Sequence, residues 1–363
     1  MELIILFILS LYFLEHLIFF IGLQKNLKLP PPAGYVQSVS VIVAAKNEEA
    51  CIGECIKSLL KLDYPQDKLQ IVLVNDRSTD RTGEIMCDYT EKHKVLKYIE
   101  IKELKGKLKG KTNALAYAIK QSTGELIFTT DADIEVKSSW VKEMVKYYND
   151  NTGLVSSYSI IKPRSFFWGI QAFDWIYLLT IGSGADGINN QISCLGNNMS
   201  YKRKAYDEIG GYENIKFSVT EDFMLLQTIK NKTKWKTRFP VNFDTVNYTL
   251  ACKNIKELYG QKKRWTKGGL DAKTAGILVG VMAWLSGAVI LSGWLISFKY
   301  YLIFLASKII IDLLFTLPVL LRFKEYSTLL YIVFFEFYFA VYVFLMPFIL
   351  IIDGNVVWKE QKL

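Results

Sequence analysis

Three groups of residues follow one another in the second half of the chain: Thr220-Glu221-Asp222, Gln261-Lys262-Lys263-Arg264-Trp265, and an apolar run of membrane length from Ile277. Asp222 is a candidate carboxylate base. Arg264 is a cation able to meet a leaving phosphate, and Trp265 is its aromatic neighbour. The apolar run brings a lipid surface within reach of both. A base removes the acceptor proton, and a cation takes up charge on the departing group. Transfer of a sugar from a phosphate-bearing donor to an acceptor held at a membrane needs all three. Glu221 reads either as a partner in that chemistry or as a hydrogen-bonding support around Asp222.

A second set of acids lies upstream. Val39 to Ala45, Ile71 to Val74 and Glu125 to Thr130 are short apolar runs fitting buried parallel strands, and each ends in acid: Glu48 and Glu49, then Asp76, then Asp131-Ala132-Asp133. Asn47-Glu48-Glu49 is expected to open a helix carrying Ile52, Ile56, Leu59 and Leu60. Ser78 to Asp80 offers caps for a helix to about His93, and Lys111 to Gln121 is helical in pattern. Strands alternating with helices predict a doubly wound α/β sheet, which binds ligands beyond the carboxyl ends of its strands. Asp131 and Asp133 are hard oxygen ligands suited to Mg²⁺ or Mn²⁺ shared with a diphosphate. A lone D-x-D is common in solvated turns. Its place at a strand end, beside a second strand ending in acid, favours the metal.

Absences narrow the class. No G-x-G-x-x-G follows the first strand and no G-x-x-x-x-G-K-[ST] occurs, which argues against a Rossmann dehydrogenase and a P-loop NTPase. Only two histidines are present, His16 in the first apolar run and His93, so imidazole triads and H-E-x-x-H zinc sites are excluded. Five cysteines form no paired zinc pattern and no disulfide framework. The net charge of +9 gathers at Lys253, Lys256, Lys262, Lys263, Arg264 and Lys267. Most of these lysines are expected to form a juxtamembrane stripe facing anionic lipid. No nucleic-acid-binding signature accompanies them.

Four apolar runs, Leu3 to Leu23, Ile277 to Ser297, Tyr301 to Leu321 and Thr328 to Ile352, each reach the roughly 20 residues needed to cross a bilayer. The first has no basic n-region and no small-residue cleavage site, so it reads as a retained anchor over residues 1–24. Lys25 and Lys28 behind it place the catalytic domain in the cytoplasm, at a plasma or inner membrane. Three C-terminal spans would leave Lys359 and Lys362 outside, against that rule. Either all three span, or one is re-entrant or interfacial. Lys308 and Asp312 lie inside the third run. They are expected to pair with each other or with Glu336, since isolated charges at bilayer depth are costly. Ser165 to Leu179 reads as a core helix or an amphipathic interfacial one, with Gln171 and Asp174 opposite its aromatic face.

With these residues assembled, the chain resembles the membrane-anchored branch of glycosyltransferase family 2, which includes cellulose, chitin and hyaluronan synthases and ceramide glucosyltransferase. The resemblance covers Val39 to Trp265. It rests on six motifs in order: V-I-V-A-A-K-N-E-E, V-N-D-R-S-T-D, D-A-D, G-N-N-M, T-E-D and Q-x-x-R-W. It implies a GT-A domain, over residues 35–270 and set off by Pro30-Pro31-Pro32, with transmembrane helices at 276–353 and a tail at 354–363. It further implies inverting, metal-dependent transfer from a nucleotide-diphosphate sugar, with a UDP-sugar expected.

Carried over residue by residue, the resemblance makes Asp222 the general base. Glu48, Asp76, Lys111, Asp131 and Arg264 fall on the donor, and Asp133 with Asp131 on the metal. Gln261, Trp265 and Asn197 fall on the acceptor side. Gly196-Asn197-Asn198-Met199 also reads as a wall of the sugar pocket or as a turn before a strand. Trp265 also reads as an interfacial anchor. The expected acceptor is a membrane lipid. The alternatives are a processive polysaccharide synthase, with any partner subunit left open, and a catalytically inactive membrane scaffold.

Overall fold

The computed structural model describes residues 2–28, 36–103, 108–272, 274–355, 357–358 and 361–362. Pro30 to Pro32, Tyr35 and Lys359 lie outside them. Helix α1 (Glu2–Lys28) takes in the first apolar run and continues past residue 24 to both lysines. The chain then alternates: β1 (Val39–Ala45), α2 (Ile52–Leu59), β2 (Leu69–Asp76), α3 (Thr82–Lys92), β3 (Leu96–Ile101), α4 (Gly110–Lys120) and β4 (Leu126–Thr130). Two expectations change here. Helix α2 starts at Ile52, because Asn47 has φ 55° and cannot enter a right-handed helix. Strand β3 is an addition. Its Leu-Lys-Tyr-Ile-Glu-Ile run has charged positions because it is an edge strand, where one flank has no neighbour.

After α5 (Trp140–Val145) come β5 (Thr152–Ser156), β6 (Ser159–Ile161), the long helix α6 (Phe166–Gly187), β7 (Met199–Lys202), α7 (Arg203–Glu208) and α8 (Glu221–Lys232). Strands β8 (Lys236–Arg238) and β9 (Asn247–Thr249) lead to α9 (Ile255–Gly269). Seven strands form one sheet in the order β3-β2-β1-β4-β7-β5-β8, in which β7 runs antiparallel to β4 and β5. Register aligns the parallel strand ends: Ala45 pairs with Asn75, and Val43 with Thr130. Glu48, Asp76 and Asp131 therefore emerge on one edge. Both faces of the sheet are buried. Val41, Val43, Leu73 and Phe128 pack toward α2 and Trp140, while Ile42, Val72 and Ile127 pack toward α4 and α8. Such two-sided burial is why the strands read as continuous apolar runs.

The C-terminal runs form α10 (Thr274–Ser292), α11 (Phe298–Phe323) and α12 (Ile332–Ile352). With α1, these are four helices long and apolar enough to cross a membrane. Lys308 pairs with Asp312 at 2.8 Å and with Glu336 on α12, as expected, and Tyr12 of α1 donates to Asp312 at 2.5 Å. Helix α1 lies close on α6, where a Cβ at Gly22 would stand 2.0 Å from the Gly184 carbonyl oxygen. Asn26 then donates to the Ser183 carbonyl at 2.7 Å and ties α1 to the sheet domain. Both ends of α12 rest on that domain. The Tyr331 ring fills the space over Gly169, and Asp353 pairs with Lys263 of α9 at 2.6 Å.

Helix α6 is a core helix, the first of its two readings, and Gln171 and Asp174, opposite its aromatic face, are buried as well. Gln171 exchanges hydrogen bonds with the Cys252 backbone, and Asp174 pairs with Lys262 and accepts from Tyr342 at 2.9 Å. For the same reason Lys262 and Lys263 leave the expected lipid-facing stripe: each is buried against a carboxylate.

Candidate active site

The loops leaving β1 and β2 hold each other. Asn47 N–H donates to Ser78 Oγ at 3.1 Å, Thr79 N–H returns to Asn47 Oδ1 at 2.9 Å, and Glu48 N–H donates to Thr82 Oγ1 at 2.7 Å. Asp80 accepts from Thr82 N–H at 3.0 Å. It stands one residue ahead of the N-cap, Arg81, which makes no side-chain cap, so this local turn replaces the cap expected from Ser78 to Asp80. This lacing fixes Glu48 beside Asp76, which is 3% exposed and accepts from Arg77 Nε at 2.9 Å.

Lys111, in the first turn of α4, joins the two halves of the site. Its Nζ donates to Asp131 Oδ1 at 2.5 Å and lies 3.2 Å from Glu221 Oε1. Burial disfavours its charge, but Asp131 and Glu221 outweigh that and hold the ammonium well above its ordinary range. Across the strand end, burial pushes the Asp133 carboxyl up to about 7, with the charges of Asp131 and Glu48 adding to the push. Such crowding of carboxylates is what a divalent cation relieves. Among the described residues no group of three or more His, Cys, Asp or Glu could hold a metal by itself. Asp131 and Asp133 thus fit a Mg²⁺ or Mn²⁺ whose other ligands come from phosphate and water, the usual mode for Mg²⁺.

Asp222 stands in the first turn of α8. Its Oδ2 accepts from Gly196 N–H at 2.6 Å and its Oδ1 from its neighbour Phe223 N–H at 2.8 Å. Burial pushes this carboxyl up to about 6 and Glu221 adds to the push, while Lys111 and Arg264 pull it down. The Gly196–Asn198 turn is stitched to the end of β4, Thr129 Oγ1 donating to the Gly196 carbonyl at 2.9 Å and Thr130 Oγ1 to the Asn197 carbonyl at 3.0 Å. The tetrapeptide is therefore a turn before β7 and also a wall of the site. The Asn197 side chain accepts from Ser159 Oγ at 2.8 Å, and Asn198 holds Trp140.

Helix α9 leans on the Thr220–Asp222 segment. A Cβ at Gly268 would stand 2.3 Å from Thr220 Oγ1, so only glycine permits this approach. Arg264 reaches the Val219 carbonyl at 3.5 Å. Trp265 packs on Trp175 with ring centroids 5.0 Å apart, and Lys262 Nζ lies 4.3 Å from the centre of its ring. All ten residues selected from the sequence, Glu48, Asp76, Lys111, Asp131, Asp133, Asn197, Asp222, Gln261, Arg264 and Trp265, line one cavity of about 960 Å³. The same wall includes Trp175, Lys262 and Tyr342, which sequence reasoning did not place there. The available signal was Asp174, an acid in the apolar first half of α6, whose burial calls for a cation.

Two family models match: glycosyl transferase family 2 over residues 40–210 and glycosyl transferase family group 2 over residues 127–352. The chain is 30% identical to a beta-monoglucosyldiacylglycerol synthase of Synechocystis sp., over 64% of this chain and 47% of that protein. It is 25% identical to a poly-beta-1,6-N-acetyl-D-glucosamine synthase of Staphylococcus epidermidis, over 64% of this chain and 55% of that protein. The chain spans about half the length of the curated relatives it matches. Among solved structures, a mannosyltransferase from Pyrobaculum calidifontis, in complex with GDP-Man and Mn²⁺, superposes with a TM-score of 0.60. The match is 20% identical and covers 94% of this chain and 98% of that one, a likeness of fold. The sheet domain is accordingly a GT-A domain joined to membrane-length helices. The second family model alone spans more than half of the sequence, and on that ground the chain belongs to the family 2 glycosyltransferases.

Proposed function

We propose that this chain moves a sugar, with inversion, from a nucleoside-diphosphate sugar to a hydroxyl of a membrane lipid. The observation that carries the reading is the position of Asp222. It is a half-buried carboxylate aligned by two backbone amides, in a cavity that begins at the donor-side acids and ends on α10 and α12. A base at that junction suits an acceptor arriving from the bilayer.

Asp76 and Glu48 would meet the nucleoside, which we propose is uridine, and Arg264 the diphosphate. A divalent cation held by Asp131 and Asp133 would neutralise charge on the departing diphosphate. Lys111 keeps Asp131 and Glu221 in register, so that Glu221 supports Asp222. The acceptor hydroxyl gives its proton to Asp222 while its oxygen bonds to the anomeric carbon. The bond from that carbon to the diphosphate oxygen breaks on the opposite face, its electron pair leaving with the diphosphate. The catalytic domain would face the cytoplasm, by the charge of Lys25 and Lys28 at the end of α1.

The relative named for monoglucosyldiacylglycerol synthesis supports a lipid acceptor. A processive polysaccharide synthase is the second reading, favoured by the relative named for poly-N-acetylglucosamine synthesis. An inactive scaffold is disfavoured, since every carboxylate the chemistry needs lines the cavity. The deciding experiment gives purified protein in lipid nanodiscs a panel of UDP- and GDP-sugars. A short glycolipid from a UDP-sugar is expected. Chelation should stop its formation, Mg²⁺ or Mn²⁺ should restore it, and Asp133→Ala should not be rescued. High-molecular-weight polymer formed without lipid acceptor would reverse the ranking, and full turnover in excess chelator would remove the metal.

A further inference from the structure

The cavity that holds the acids does not stop at α9. It continues along α10 from Gly276 to Trp284 and meets Tyr342 and Met346 of α12. Eight residues of helix rise about 12 Å, enough for the upper part of an acyl chain. At Gly280 a Cβ would meet no atom within 4 Å, so the middle of this wall is open. This half of the wall is largely apolar. Its polar groups are the Tyr342 hydroxyl, committed to Asp174, and Tyr12, Glu15 and Tyr177 where α1 meets α6. A volume of about 960 Å³ stands at the upper end of the range for small-molecule sites, about 300–1,000 Å³.

The charges at the mouth select the headgroup. The lysines in the second half of α9 are committed: Lys262 to Asp174, Lys263 to Asp353 at 2.6 Å, and Lys267 to the Gly354 carbonyl at 2.9 Å. Glu221 and Asp222 line the same mouth. The remaining cation of that half of the helix, Arg264, lines the cavity too and is the one assigned to the donor diphosphate. With the donor bound, a phosphorylated headgroup approaching Asp222 would meet two carboxylates and a cation already engaged, and the repulsion would act in a poorly hydrated space.

We propose that the membrane half of the cavity seats an acyl chain of the acceptor lipid, whose headgroup is uncharged and ends in a hydroxyl, as in a diacylglycerol. The proposal rests on the lipid-acceptor reading above and adds to it a seat and a headgroup charge.

The test places the full chain in nanodiscs with a diacylglycerol carrying a mid-chain diazirine, and maps photo-adducts by mass spectrometry. Adducts are expected on residues 276–284 and 343–351. They should be lost in Gly280→Trp and in Met346→Trp, which fill the space from opposite walls, with nucleotide binding and gel-filtration elution unchanged. Unlabelled diacylglycerol should compete about tenfold better than phosphatidic acid with the same chains, a difference of about 1.4 kcal/mol. Adducts spread evenly over the outward faces of α1, α10 and α11 in the unmodified protein would overturn the seat, whatever the variants do. Equal competition by phosphatidic acid would overturn the uncharged headgroup. Failure of the underlying reading looks different: the seat is labelled as expected, yet no nucleotide sugar yields a glycolipid.

Discussion

Gly196 N–H donates to Asp222 Oδ2 at 2.6 Å across 26 residues of sequence, and a Cβ on Gly196 would stand 3.0 Å from that same oxygen. The glycine both aligns the carboxylate and leaves room for it. Gly196→Ala should therefore push the carboxylate by a few tenths of an ångström and lower kcat by less than the roughly 10²-fold that a 1 Å misplacement costs, with donor affinity little changed. Asp222→Asn keeps the shape and removes the base. It should cost roughly 10²- to 10⁴-fold in kcat. Steady-state kinetics beside nucleotide titration checks both. Turnover in Asp222→Asn comparable to the parent, with the fold intact, would show that another group accepts the proton.

The pH profile follows from the same carboxylate. Burial and Glu221 raise Asp222 to about 6, and only its deprotonated form can accept the acceptor proton. The rate should be fully developed above that value and fall as pH drops through about 6, tenfold per unit at the limit. An acid limb centred near the ordinary carboxylate value, in a protein still folded there, would contradict the assignment.

Much of this site was legible because its chemistry depends on residue type at strand ends. Asp76 and Asp131 follow apolar runs that a parallel sheet aligns, and register alone then brings them together. What was not legible depends on contacts remote in sequence. The pairing of Lys111 with Glu221 spans 110 residues, and that of Asp174 with Lys262 spans 88. No local pattern marks either. Hence Lys262 read as a lipid-facing cation and Asp174 was left without a partner, although burial of each is what makes the pair necessary. The Asn47 loop was misjudged because its left-handed φ is imposed by Ser78 and Thr79 on the neighbouring loop.

The buried ion group of α11 and α12 makes a stability prediction. Lys308→Met leaves Asp312 and Glu336 buried without their cation and should cost about 3–5 kcal/mol, seen as lost yield and a lower Tm. Replacing all three residues, Lys308→Met with Asp312→Leu and Glu336→Leu, should recover most of that loss. A triple variant that assembles normally but transfers no sugar would show instead that the group serves the reaction.

Helix α12 starts against α6 and ends against α9, so residues 353–355 are expected on the membrane side that holds the catalytic domain. On that arrangement α12 would be the re-entrant or interfacial run, a reading that thiol labelling checks. In a Cys87→Ser parent, Asn355→Cys and Asp150→Cys should react with an impermeant thiol reagent from the same face of sealed vesicles. Reaction from opposite faces would make α12 a full span.

The most direct measurement is the anomeric configuration of the product. Given UDP-glucose, whose glucosyl bond is α, and diacylglycerol in nanodiscs, the protein should form a glycolipid carrying a β-linked sugar, read from the anomeric proton coupling in NMR. One in-line displacement assisted by Asp222 produces that outcome. An α-linked product would contradict the account, because retention requires either a second displacement or a same-face transfer, and neither is the single displacement assisted by Asp222.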